Sequence, residues 1–408
     1  MTQVPRRAPR AQRGDAESKA LAGSDIVTSP LHDIPRDGRP AYDVAIVGAG
    51  IVGLAHAYTA ARRGQSVVVI ERDRRANGAS IRNFGFITVT GQERHTMWPL
   101  ARRSRDVWAE IAPKAGIAIE HEGLWLNARL PESVAVLEAF METEMGEDCR
   151  LLSGAQARDR HSEICPAHTR AVLWSPHEVR VESRTALPRL AAWLAEEMGV
   201  DFRITTAVTA VAPPHIETST GTIRATTAIV CPGDDLVSLF PERIAAYAPT
   251  RCRLSMLRLD SPGFRLPGGV MSDLGLVRYH GYSHLPEAEA LRLRLNDSHA
   301  AHLEHGVHLI VVQSEDGSLV VGDSHHYDVT PDPFASQDTE VLILDEFTQA
   351  TGLRPPPVRE RWTGTYSSCA DRPFFIDRPS ADVRLVMVTS GAGASTAFGI
   401  AEQTFAAL

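Results

Sequence analysis

The stretch from Asp43 to Glu71 constrains this chain more than any other. Val44-Ala45-Ile46-Val47 is a short apolar run of the kind that suits a strand buried on both faces. Gly48-Ala49-Gly50-Ile51-Val52-Gly53 follows, then a helix-compatible segment Leu54–Arg63 that Gly64 ends. A second apolar strand, Ser66–Ile70, stops at Glu71. Gly48 permits a tight turn, Gly50 lets the backbone approach a pyrophosphate, and Gly53 lets helix and strand pack closely. The helix start at Ile51 and Val52 supplies amide donors to phosphate. Glu71, followed by Arg72, stands where a carboxylate accepts hydrogen bonds from ribose hydroxyls. Strand, glycine motif, helix, strand and acid in this order specify a dinucleotide site in a Rossmann-type α/β unit.

The motif alone does not choose between nicotinamide and flavin. Gly78-Ala79-Ser80-Ile81-Arg82-Asn83-Phe84-Gly85 follows the acid directly, where a nicotinamide enzyme would continue with helix and strand. A polar, glycine-flanked loop instead runs along an extended cofactor, with Ser80, Asn83 and Gly85 as contacts; an ordinary surface loop is the alternative.

Composition excludes several classes. With 43% apolar and 23% charged residues in a chain of 408, collagen-like, coiled-coil and wholly disordered readings fail. A net charge of -8 without a basic stripe argues against nucleic acid as a partner. Five scattered cysteines with no CxxC pair suit a cytoplasmic location, and no apolar run is long enough to span a membrane. Residues 1–40 carry five prolines and no periodicity, and read as a disordered N-terminal extension. Lys19 and Lys114 are the only lysines, so any mechanism that needs an amine side chain has almost nowhere to find one.

These motifs and three later ones resemble the D-amino-acid oxidase superfamily of FAD enzymes, in particular its glycine oxidase and sarcosine oxidase branch. Ala207–Val211, after a helical segment Ala186–Met198, resembles the strand whose backbone, at Val208, contacts the adenine end of FAD. Ala228–Asp234 is similar to the family's apolar strand ending in a glycine turn, here Gly233. Leu385–Val388 leads into Gly391-Ala392-Gly393-Ala394-Ser395-Thr396, similar to the second glycine loop beneath the flavin ring. Arg82-Asn83-Phe84-Gly85 and Phe398-Gly399-Ile400-Ala401-Glu402 resemble a narrower subgroup that accompanies aminophosphonate breakdown and acts on N-alkylated aminoalkylphosphonates. The resemblance implies an α/β fold with an α+β substrate domain. A discontinuous FAD-binding domain would take 41–120, 183–248 and 365–408, and a discontinuous antiparallel-sheet substrate domain 121–182 and 249–364.

The departures from the family are as informative as the matches. Gly364 stands where sarcosine oxidases attach flavin to cysteine, so FAD is expected to be non-covalent. Tyr366 replaces the arginine with which glycine and D-amino-acid oxidases clamp the substrate carboxylate. Ser395 and Val320 occupy the positions of the substrate-binding and oxygen-activating lysines of sarcosine oxidases. An anionic substrate therefore needs other anchors. Arg82 is one candidate. Arg278-Tyr279-His280-Gly281-Tyr282, read as a strand, would turn Arg278, His280 and Tyr282 to one face. Tyr366 and His280 are expected near the substrate. His325-His326 lacks an acidic or cysteine partner at ligand spacing, so no metal is expected.

The expected activity is FAD-dependent oxidation of the C–H bond beside an amine, on an N-alkylated amino acid or N-alkyl aminoalkylphosphonate. Oxygen is the expected acceptor, giving hydrogen peroxide, in a monomer or small homo-oligomer. The alternatives are a glycine or D-amino-acid oxidase, or an amine dehydrogenase with another acceptor.

Overall fold

Val44, Ile46, Val67 and Val69 turn one way and Ala45, Val68 and Ile70 the other, and both sets are buried. Successive strand side chains alternate between faces, so these residues build a sheet covered on both sides. The computed structural model describes residues 41–408; the extension expected over 1–40 lies outside the described residues.

The first sheet runs Phe374–Ser380, Val383–Val388, Gly221–Val230, Tyr42–Val47, Val67–Ile70, Asp201–Arg203, parallel at every pair except the first. Val44 lies opposite Val67 on one side and Thr227 on the other. Helices Ile51–Arg62, Met97–Ile111, Ser183–Met198 and Gly393–Ala406 cover the face that carries Val44. Ile216 of the hairpin strand His215–Thr218 and Ile244 of the short helix Pro241–Ala245 pack on the other face.

The second sheet runs His326–Asp328, Thr250–Leu259, Leu319–Gly322, Ile310–Gln313, Gly269–Ser272, His121–Ala128, Ala171–Arg180, Phe86–Ile87. Val358–Ser368 pairs with Thr250–Leu259, and Arg150–Ser153 with Ala171–Arg180. It is antiparallel at every pair but Gly269–Ser272 with His121–Ala128, which are distant in sequence and free to run parallel. Asp316-Gly317, good hairpin chemistry, turns the chain between two of these strands: Ser314 N–H donates to the Ser318 carbonyl at 2.9 Å, and Gly317 takes φ +81°. Phe86–Ile87 joins this second sheet, and Val358–Ser368 runs through residue 364, where the sequence placed a domain boundary.

One expected element is wrong. Residues 278–282 are not a strand: a 3-10 turn Asp273–Val277 leads into a short helix His280–Ser283. Tyr282 therefore turns away from Arg278 into the core beside Phe140, with ring centroids 4.7 Å apart. Local pairing decides this, because Gly281 N–H donates to the Gly91 carbonyl at 2.9 Å rather than to a neighbouring strand.

A charged knot ties helix Ser183–Met198 to the second sheet. Glu182, its N-cap, accepts from Arg180 at 2.9 Å, Arg258 at 3.1 Å and Ser314 Oγ at 2.9 Å. Burial favours the neutral carboxyl, but the two guanidiniums outweigh it and hold its pKa down to about 2.

Candidate active site

The N-terminal glycines do what the spacing demands. Gly48 sits at φ +102°, and a Cβ there would stand 2.5 Å from the Cys231 carbonyl oxygen. A Cβ on Gly53 would lie 1.9 Å from the Gly48 carbonyl oxygen, so only glycine lets helix Ile51–Arg62 approach this turn. Glu71 holds the loop from the other side, accepting from Ala49 N–H and Asp73 N–H at 2.8 Å each. Ser80 Oγ accepts from Ile51 N–H at 3.0 Å, which brings the second loop to the helix start.

Asn83 organises that loop from within. Its Oδ1 accepts from Gly85 N–H at 2.7 Å and Ser183 Oγ at 2.9 Å, while Nδ2 donates to the Ala79 carbonyl at 2.8 Å. Gly85, at φ +67°, lies against the Val181 carbonyl, which a Cβ would meet at 1.8 Å.

The second glycine loop arrives from the other end of the chain. After Val383–Val388 the backbone turns at Gly391, φ +73°, into helix Gly393–Ala406. Trp108 Nε1 donates to the Ala394 carbonyl at 3.0 Å and fixes the turn. Ser395 is buried and accepts from Thr88 N–H at 2.9 Å, while Thr396 bonds back to the Ala392 carbonyl at 2.8 Å. Neither helix N-cap, Gly50 nor Ala392, offers a side-chain acceptor. Both helix N-termini thus open on the same cleft, with amide donors and the positive dipole end available to a phosphate or an electron-rich ring.

That cleft measures about 960 Å³. Its lining includes Gly50, Ile51, Val52, Gly53, Ser80 and Asn83 from the first two loops and Gly233, Gly391, Gly393, Ala394 and Ser395 from the later ones. Arg82, Arg278, His280 and Tyr366 line the same cleft. Gly48, Glu71, Gly85 and Thr396 support the cleft from behind, and the wall does not include Val208, which lies on the strand Val208–Ala212. Arg72 is largely exposed and paired with Asp235 at 2.7 Å. The residues fit FAD: two helix starts whose N-cap residues bring no side-chain acceptor, side-chain-free backbone where a pyrophosphate approaches, and room for an extended ligand.

The rest of the lining is aromatic and cationic. Tyr366 projects from Val358–Ser368, and its ring lies so close to Gly391 that a Cβ there would meet it at 3.0 Å. Burial pushes its hydroxyl well above the ordinary tyrosine pKa, so it stays a neutral donor. Arg278 Nη2 donates to the Tyr327 hydroxyl at 3.0 Å. His280 is exposed and stacks on His284 with centroids 4.6 Å apart. Arg82 reaches Asn77 Oδ1 at 3.1 Å. A Cβ on Gly364 would lie 3.0 Å from the Arg82 carbonyl oxygen, which accounts for glycine there. Lys114 pairs with Glu110 on an outer helix, and Val320 is buried, so among the described residues no lysine faces this cleft.

Sequence reasoning missed Tyr279, His308, Asp323 and Tyr327, all in the same wall. It also gave His325 no acidic partner. The chain supplies one two residues upstream: Asp323 Oδ2 lies 3.6 Å from His325 Nε2, and Asp323 Oδ1 lies 3.1 Å from His308 Nδ1. Asp-Ser-His directly after Leu319–Gly322 was the available signal, since alternate residues share a face.

A parallel dinucleotide-type sheet with two helix starts facing one long cleft defines a flavin-dependent oxidoreductase. Residues 43–407 match the FAD dependent oxidoreductase family, known as DAO, and the chain belongs to it; FAD is its cofactor. Comparison with curated protein sequences gave no match. Among solved structures, the chain is similar to glycine oxidase from Bacillus cereus, at 17% identity and a TM-score of 0.70, over 89% of this chain and 96% of that one. It is also similar to L-proline dehydrogenase from P. horikoshii, at 16% and 0.71, over 90% and 92%. Iminodiacetate oxidase from Chelativorans sp. gives 16% and 0.64, over 88% and 94%. At such identities the likeness is one of fold. Among the described residues no helix is long and apolar enough to cross a membrane.

Proposed function

We propose that this enzyme binds FAD non-covalently and oxidises the C–H bond beside the nitrogen of a small secondary amine that carries an anionic group. N-alkylated amino acids and N-alkyl aminoalkylphosphonates are the substrate class, and the imine product hydrolyses to a carbonyl compound and a shortened amine. The single observation that carries this reading is Arg278, a guanidinium set among Tyr327 and Tyr366 in the cleft wall. It offers a charged fork for a carboxylate or phosphonate at a site without the family's usual clamps. The names of the similar structures, which include oxidases of glycine and iminodiacetate and a dehydrogenase of L-proline, support amine chemistry.

When bound, FAD accepts the two electrons removed from the amine. The chain's own part is positional. Arg278 holds the anion, Tyr366 and Tyr279 exclude water and orient the donor carbon, and His280 and Arg82 stand at the mouth. The unit built on the first sheet (41–120, 183–248 and 365–408) holds cofactor, and that built on the second (121–182 and 249–364) holds substrate. Oxygen is the acceptor in this reading. Val320, apolar and buried at the position of the oxygen-activating lysine of sarcosine oxidases, favours a dehydrogenase as the second reading.

The test is anaerobic mixing with glycine, D-alanine, sarcosine, L-proline and N-methyl-2-aminoethylphosphonate while flavin absorbance is followed, then admission of oxygen. N-alkylated anionic amines should bleach the flavin fastest. If glycine and D-alanine reduce it while the N-methylated compounds do not, the substrate assignment is wrong. Slow reoxidation in air would favour the dehydrogenase.

A further inference from the structure

His308, Asp323 and His325 form a cluster that amine oxidation does not require. All three are buried, with residue exposures of 3%, 4% and 6%, yet they line the cleft. One donor atom from each lies within 4.8 Å of the others. The two oxygens of Asp323 each face one imidazole nitrogen, at 3.1 and 3.6 Å. Ligand atoms of a tetrahedral zinc, with bonds of about 2.0–2.1 Å, stand roughly 3.3–3.4 Å apart, and the two carboxylate–imidazole distances fall on either side of that spacing.

Two further observations separate this arrangement from an ordinary hydrogen-bonded triad. His308 Nδ1 and Asp323 Oδ1 are buried and lie 3.1 Å apart in an orientation that makes no hydrogen bond between them. A cation bound between them satisfies both atoms. His325, in turn, bonds through Nδ1 to the Gly306 carbonyl at 2.8 Å. That bond fixes the proton on Nδ1 and leaves the Nε2 lone pair aimed at Asp323, the orientation that metal-bound histidines take from a backbone carbonyl.

We propose that His308 Nδ1, the Asp323 carboxylate and His325 Nε2 form a binding site for one divalent transition-metal cation, with zinc as the best-matched ion. Two neutral imidazoles and one carboxylate leave at least one coordination position open to the cleft, as in sites where three protein ligands leave room for an exogenous one. Arg278 stands in the same wall and opposes a bare cation. An anion seated between the two relieves that repulsion, so the site takes a metal together with a phosphonate, phosphate or carboxylate oxygen. This last point rests on the anionic substrate proposed above, whereas the metal site itself does not.

The experiment uses the full-length FAD-loaded enzyme, stripped with a chelator and desalted. Zinc and, separately, cobalt are titrated by calorimetry, with metal content measured after a second desalting. The expected result is one metal per chain in the wild type. Asp323→Asn and His325→Ala should each weaken binding by roughly 100-fold or more, since loss of an orienting partner alone costs roughly 10–100-fold. His326→Ala, whose ring faces His305 instead, should retain the metal. Flavin content and thermal midpoint report whether each variant is folded. Phosphate should tighten zinc binding in the wild type. Absence of stoichiometric binding in the wild type overturns the proposal, as does unchanged binding in folded Asp323→Asn and His325→Ala. Binding of methylammonium at the cluster with no metal uptake overturns it in favour of an amine pocket. Failure of every phosphonate to reduce the flavin would refute the substrate reading and leave the metal titration unaffected.

Discussion

Arg278 owes its place to a turn and its orientation to one phenol. Its neighbours in the lining are Tyr327, Tyr366 and Asp323, and among the described residues no lysine lines the cleft. Replacing Arg278 by Met keeps much of the bulk and removes the charged fork. Hydrogen bonds to charged groups contribute about 1.5–3 kcal/mol, so KM for an anionic amine should rise roughly 10–100-fold, with a smaller change in kcat. Steady-state kinetics checks this, and an unchanged KM would remove Arg278 from the substrate site. Single residues were unevenly legible. Gly48 and Gly53 announced themselves because only glycine fits a Cβ-free approach, and sequence spacing encodes that need. Asp323 did not, because its partner His308 comes from the far side of a hairpin, beyond the reach of a spacing rule within one strand.

At the scale of elements, the apolar strands and their helices were readable because a two-sided sheet demands continuous apolar runs. The helix expected at 186–198 runs Ser183–Met198, longer by less than a turn at its start. The segment 278–282 was misread because tyrosine and histidine at alternate positions mimic a strand, while Gly281 pairs with a loop instead. The charged knot at Glu182 spans such elements and makes a pH prediction. Its folded pKa, about 2, lies below the ordinary value of 4.5, so its contribution is present above pH 4.5 and is lost as pH falls toward 2. The size is about 3 kcal/mol at full effect. Denaturant titrations between pH 6 and pH 3 should show a loss of stability that Glu182→Gln greatly reduces. An equal loss in the variant would place the acid sensitivity elsewhere.

For the whole molecule, the cleft lies where distant segments meet, so cofactor binding should report on global stability. A ligand that binds only the folded chain adds about 2.7 kcal/mol at a hundredfold excess over Kd. Adding FAD to the stripped enzyme should therefore raise the thermal midpoint by several degrees, in proportion to the logarithm of its concentration, in a melting assay. A midpoint insensitive to FAD would mean that the cleft is not the cofactor site. The two helix starts that meet at the cleft, at Ile51 and Gly393, belong to segments far apart in the sequence. A ligand gripped by both works as a clasp without a covalent bond, because opening either segment gives up half the grip.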